Sequence, residues 1–172
     1  RGRIFNTIEA DLGQYNEDSK IFWASGACFF IRANVFNTLN GFDESFFAHM
    51  EEIDLCWRAH NLGYTAKYNY KSTVYHVGGA TLNATNPRKT YLNFRNSLFT
   101  LTKNASGGIV LLLFTRMVLD GLAAFKFLFE LKFTHIFAIL KAHLGFYANL
   151  PRLLKQRKQL KQSKNYFKKK SI

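Results

Sequence analysis

The densest run of reactive side chains is GFDESFFAHMEEIDLCWR, Gly41 to Arg58. Glu51, Glu52 and Asp54 fall within four residues of one another, just after the aromatic pair Phe46-Phe47. The pattern turns helical at Met50, so the three acids occupy a first helical turn, where the dipole favours negative charge. On a helix Glu51 and Glu52 point about 100° apart and need not share a task. Two chemistries fit. The acids are N-terminal helix charges, or one of them is a general base that takes a proton from a bound hydroxyl. His76 stands alone at the end of a strand-like stretch, where an imidazole by itself reads as structural. Arg116, Asp120, Lys126 and Glu130 form a further set, within an arc of about 120° on a helix. Arg116 and Asp120 are spaced i,i+4, as an ion pair on one helix requires.

The elements that must position these residues follow from pattern and punctuation. Residues 21–31, IFWASGACFFI, are apolar with one Gly interruption and predict a buried strand. Arg32 to Leu39 suits a short helix ended by Asn40-Gly41, and 42–49 reads as a loop. Ile53 and Trp57 continue the helical spacing from Met50 to Asn61, with Gly63 in the C-cap region. Residues 64–68 and 72–77 predict short strands. Pro87 opens a helix to about Lys103, with Tyr91, Phe94, Leu98 and Leu101 on one face. Residues 109–129 have the length of a membrane span, but the aligned charges suit a helix lying in the membrane interface or packed on a partner. A second apolar stretch, 135–150, is predicted to stop at Pro151.

Composition limits the alternatives. The chain has 172 residues, 48% hydrophobic and 16% aromatic, which excludes a disordered polymer. Nine of the eleven acids lie in residues 1–54, while twenty of the twenty-four Lys and Arg lie after them. The net charge of +13 therefore belongs to the second half. Its basic tail follows apolar amphipathic sequence and no nucleic-acid-binding motif is present, so attraction to an anionic membrane surface is the better reading, with no nucleic-acid partner. Cys28 and Cys56 sit in apolar runs and read as buried thiols in a reducing compartment. The first ten residues lack the apolar core of a signal peptide.

The stretch from Trp23 to Thr81 resembles the second half of the GT-A domain of family-two glycosyltransferases, in particular the rhamnosyltransferase-like branch. The resemblance rests on Gly26 to Arg32, on Gly-Phe-Asp-Glu-x-Phe-Phe at 41–47, and on the acidic pair followed by Asp-Leu-Cys-Trp-Arg at 51–58. It continues through Val-x-His-x-Gly-Gly at 74–79 and Tyr-x-x-x-Arg-Asn at 91–96. It implies an α/β fold, the C-terminal part of a Rossmann-like GT-A domain, followed by amphipathic, membrane-associated helices. The expected division is 1–84 for the acceptor side of the catalytic domain, 85–150 for the helical region and 151–172 for the basic tail.

The same resemblance implies roles. Glu52 matches the base, with Glu in place of the family's usual Asp. Glu51 would position the acceptor or hold the helix start, and Gly26 and Ala27 would lie beside the donor sugar. His76 matches a histidine that helps hold a divalent cation, Mn²⁺ or Mg²⁺, on the donor diphosphate. The family's Asp-x-Asp metal motif is not in this sequence. The chain therefore reads as a C-terminal fragment, inactive alone, with the main metal ligands elsewhere. The implied activity is inverting transfer from a nucleotide-sugar donor to a glycan or lipid-linked acceptor, at the cytoplasmic face of a bacterial inner membrane. A non-catalytic membrane- or partner-binding module is the alternative. A glycoside hydrolase using Glu51 and Glu52 is excluded, because adjacent carboxylates do not straddle a bond at the required separation of about 5–10 Å.

Overall fold

A computed structural model describes residues 10–76 and 86–163. In chain order they form β1 (Ser19–Ile21), α1 (Ala33–Thr38), a 3₁₀ turn (Glu44–Phe46), α2 (Glu51–Asn61), β2 (Ala66–Tyr68), α3 (Pro87–Asn104), α4 (Ile109–Phe129) and α5 (Phe133–Gln162). The two strands pair antiparallel, with Lys20 opposite Lys67.

The α/β Rossmann-like core expected from the resemblance is not formed among the described residues. Among the described residues the only sheet is this pair of three-residue strands, and the body is helical. A parallel α/β core buries its strands between helices on both faces. Here residues 22–32 join no sheet, and Phe30 is 95% exposed. Residues 72–76 are likewise exposed and irregular rather than a strand. A strand gains little without neighbours on which to pack its faces, so the apolar composition of 21–31 does not suffice to make one.

The core lies between the 3₁₀ turn and the later helices. Phe46, Leu98, Phe99, Phe146 and Leu153 form one buried cluster, with Phe46 set edge-on against Phe99 at 5.8 Å between ring centroids. Val35, Leu39 and Leu55 form a second cluster that seats α1 on α2. Gly145 lets α5 approach α3 closely, since a Cβ there would stand 3.0 Å from the Tyr91 hydroxyl.

Local signals for the helices hold well. Asn86 caps α3 through its side chain, which accepts from the Arg88 N–H at 2.9 Å, and Pro87 follows at the first turn. Gly63 follows α2 with a φ of +88°, which a side chain would resist. The expected stop at Pro151 is wrong, for α5 runs on to Gln162. Packing overrides the proline: beyond it Leu153 is fully buried, and Arg157 donates to the carbonyls of Thr102 and Gly107. Residues 151–162, assigned to a basic tail, are thus the end of a packed helix.

The predicted boundary at residue 84 and the glycines of the Val-x-His-x-Gly-Gly motif lie outside the described residues, as do Lys164, Lys168, Lys169 and Lys170. Among the described residues no helix is long and apolar enough to cross a membrane. Both cysteines are free; Cys28 is exposed rather than buried, because the strand meant to bury it does not form, and Cys56 is half-buried.

Candidate functional site

The acidic run opens α2 on the wall of a cleft of about 360 Å³. Gly26, Phe29, Phe42, Asp43, Glu44, Phe47, Glu51 and Glu52 line it. It combines apolar rings with convergent carboxylates, a composition suited to a small polar ligand with apolar faces. One carboxylate oxygen each of Glu51 and Glu52 is buried without a hydrogen-bond partner. Burial raises the Glu52 pKa above its ordinary value and the Glu51 charge adds to this, while backbone N–H groups of Glu52, Ile53 and Gly26 pull the other way. A carboxylate with a raised pKa and an unpartnered oxygen at the wall of a cleft suits a proton acceptor for a bound hydroxyl.

Gly26 stands against this group: a Cβ there would lie 3.8 Å from the Glu52 carboxyl carbon. Ala27, the other small residue of the expected sugar-binding pair, is exposed and does not line the cleft. His76 is exposed at the end of a described segment and does not line it either. Among the described residues no three His, Cys, Asp or Glu side chains are grouped to hold a metal ion. Glu51 and Glu52 are brought together with Gly26, whereas Ala27 and His76 are not.

The loop that delivers the acids is held in unusual backbone conformations. Phe47, His49 and Met50 all have positive φ, at 64°, 69° and 70°. Non-glycine residues persist there only when their surroundings impose it. Two adjacent residues of α3 do so. Asn96, fully buried, donates through Nδ2 to the carbonyls of Phe46 (3.0 Å), Ala48 (2.8 Å) and His49 (2.8 Å). Arg95 donates to the carbonyls of Ser45 and Phe46 and to Asn96 Oδ1. This fixes the amide so that its nitrogen faces the loop. The Tyr-x-x-x-Arg-Asn motif of the sequence is therefore the clamp on the segment that precedes Glu51 and Glu52. Sequence reasoning named the motif but assigned it no task.

Two more groups sit at the rim. The Arg88 guanidinium lies over the exposed Phe47 ring at 4.7 Å. His49 has a buried Nε2 without a partner; burial lowers its pKa, Lys89 lowers it further and Glu51 opposes the shift.

Asp43 and Asp54 serve a different end. Lys103 Nζ bridges them at 2.8 and 2.9 Å, and Arg58 and Asn104 complete the set around Asp54 at 2.8 and 2.7 Å. Burial raises the Asp43 pKa, but hydrogen bonds from Lys103 and Ser45 outweigh it and hold the group well below the usual carboxylate range. Asp54 of the acidic run is thus a structural anion.

The chain is similar over 54 residues, at 37% identity, to an N-acetylglucosaminyl-diphospho-decaprenol L-rhamnosyltransferase of Mycobacterium tuberculosis, in strains CDC 1551 / Oshkosh and ATCC 25618 / H37Rv alike. The match covers 31% of this chain and 18% of each relative. No family model matches the chain, and no solved structure does. The likeness thus supports a glycosyltransferase at a coarse level only, on less than a third of the sequence.

Proposed function

We propose that this chain carries the acceptor side of an inverting glycosyltransferase, with Glu52 as the base that deprotonates the acceptor. The observation that carries the reading is the buried, partner-free oxygen of Glu52 beside a cleft walled by Phe29, Phe42 and Phe47. The acceptor hydroxyl oxygen attacks the anomeric carbon of a nucleotide-sugar donor while its proton passes to the Glu52 carboxylate. The bond from that carbon to the diphosphate oxygen breaks on the opposite face, and its electron pair leaves with the nucleoside diphosphate. Configuration inverts because attack and departure are on opposite sides.

Glu51, beside Glu52, suits a hydrogen bond to a second hydroxyl of the acceptor. The aromatic walls offer ring faces to a sugar. The relatives' name specifies a lipid-linked acceptor and a rhamnosyl donor group; a lipid-linked or glycan acceptor and a nucleotide-sugar donor are the corresponding partners proposed here. A divalent cation on the leaving diphosphate belongs to the same reading. His76 alone cannot hold one, and the described residues do not group a ligand set around it.

The test is Glu52→Gln in the full-length protein that carries this chain, assayed for sugar transfer from nucleotide-sugar donors. Loss of about 10²–10⁴-fold in kcat with an intact fold is expected. Unchanged transfer would remove Glu52 as the base and the mechanism with it.

A further inference from the structure

α4 is an apolar helix packed inside out. It spans 21 residues, and its buried residue is Asp120, 1% exposed. Asp120 faces inward between Arg116 (2.9 Å) and His143 of α5 (3.0 Å), and the Arg116 guanidinium covers the Phe94 ring of α3. The charged stripe read from the sequence is therefore half internal, and the apolar side chains take the outside. Leu111, Phe114, Leu122, Phe125 and Phe129 on α4 are largely exposed, and Val118 among them is half exposed. The surface continues across the hairpin onto α5 through Phe133, Phe137, Leu140 and Leu144. Apolar side chains exposed at helical spacing along both arms of a hairpin mark a contact surface rather than a solvated one.

We propose that the outer face of the α4–α5 hairpin docks in the interfacial layer of an anionic lipid membrane, lying along it without crossing. Charge selects this occupant. The exposed charges bordering the face are mainly cationic: Lys126 and Lys132 at the hairpin turn, where Glu130 offsets one of them, and Lys141 on α5, with Lys155 and Lys158 further along that helix. A cationic rim around an apolar face matches anionic headgroups above acyl chains. It disfavours a second copy of the same face, whose lysines would meet their own kind. Neither helix is long and apolar enough to span a bilayer, and the inward Arg116–Asp120–His143 cluster leaves the outer face free of buried charge. The proposal goes beyond the transfer reaction and does not depend on it.

The experiment is flotation of the chain with phosphatidylglycerol-containing vesicles and with phosphatidylcholine vesicles, beside Leu122→Ser and Phe125→Ser. These positions are 60% and 61% exposed, so the variants keep the fold, which circular dichroism verifies. The chain is expected to float with anionic vesicles, more weakly with neutral ones, and each variant to lose about tenfold in partitioning. Failure to float with phosphatidylglycerol vesicles overturns the proposal. So does a lipid-free dimer in sedimentation that the same substitutions dissociate, since the face would then be a protein interface. Because flotation reads no sugar transfer, its result stands apart from that of the Glu52→Gln assay.

Discussion

Glu52 carries two opposed demands in one carboxylate. Burial raises its pKa, so the ionised form that a base requires is the form the fold disfavours. Its folded pKa lies above the ordinary value of 4.5, so the stability it contributes is fully present below about pH 4.5 and is lost as pH rises through the folded pKa. Glu52→Gln removes a charge the fold disfavours and leaves the cleft shape intact. At pH 7 the variant should be more stable than the parent by about 0.5–1 kcal/mol, with the difference closing below about pH 4.5. Thermal melts of both proteins across pH 4–8 check this; a Gln variant less stable at neutral pH would show that Glu52 holds the fold rather than straining it. In the active protein kcat/KM should rise with pH through the raised Glu52 pKa, since only the carboxylate accepts the proton. A profile flat across that range would assign the base elsewhere.

Among elements, the turn from Phe46 to Met50 and the first helical turn of α2 form a unit whose shape is imposed from α3. Asn96 satisfies three loop carbonyls with one amide nitrogen, so its loss frees the loop to leave its positive-φ conformations. Asn96→Ala should lower kcat by about 10²-fold through displacement of Glu52, with donor KM changed little. Leu153→Ala, in the core of α5, serves as the control: it should cost about 2–5 kcal/mol of stability without changing kcat below its melting temperature. If both variants reduce kcat alike, Asn96 supports the fold in general and does not position the base. The helices were legible in the sequence because their signals are local: Asn86-Pro87 starts α3, Gly63 follows α2, and the acids of α2 sit in its first turn. The apolar run 21–31 predicts a strand that does not form, because its residues need neighbouring strands that the described residues do not supply. Pro151 misled in the opposite direction, since a local helix breaker was outweighed by Leu153 and Arg157 packing on α3 and the segment after it. Of the cleft lining, Glu51, Glu52 and Gly26 are the residues the motifs single out. Phe29 and Phe42 were missed because they converge from separate loops, and the clamp by Asn96 spans 47 to 50 residues of sequence.

At the scale of the molecule, one ionic network joins the cleft to the helical body. Asp43 from the cleft wall and Asp54 from α2 share Lys103 of α3, and Arg152 and Gln156 of α5 reach Asp43 at 3.5 and 3.0 Å. Partners so far apart in sequence leave no trace in spacing, which is why Asp54 could not be told from its neighbours as a structural anion. Lys103 is 2% exposed, and its removal leaves two carboxylates without their shared cation. Breaking such a buried set by deleting one member costs about 3–5 kcal/mol, because the charges left behind stay desolvated. Lys103→Met should therefore lower the urea midpoint by that equivalent at pH 7. Asp43→Asn added to it should recover part of the loss, giving a coupling that a double-mutant cycle reads. The pH dependence supplies the sign. In the parent the depressed Asp43 pKa contributes stability that is present above about pH 3.8 and lost as pH falls toward its folded pKa. Without Lys103 the burial that raises the Asp43 pKa is opposed less, so the variant's deficit should be largest at neutral pH and shrink as Asp43 protonates near pH 4. A deficit that stays constant from pH 7 to pH 4 would mean that the Lys103 ammonium acts through the Phe46 ring beneath it, and not through its pairing with Asp43.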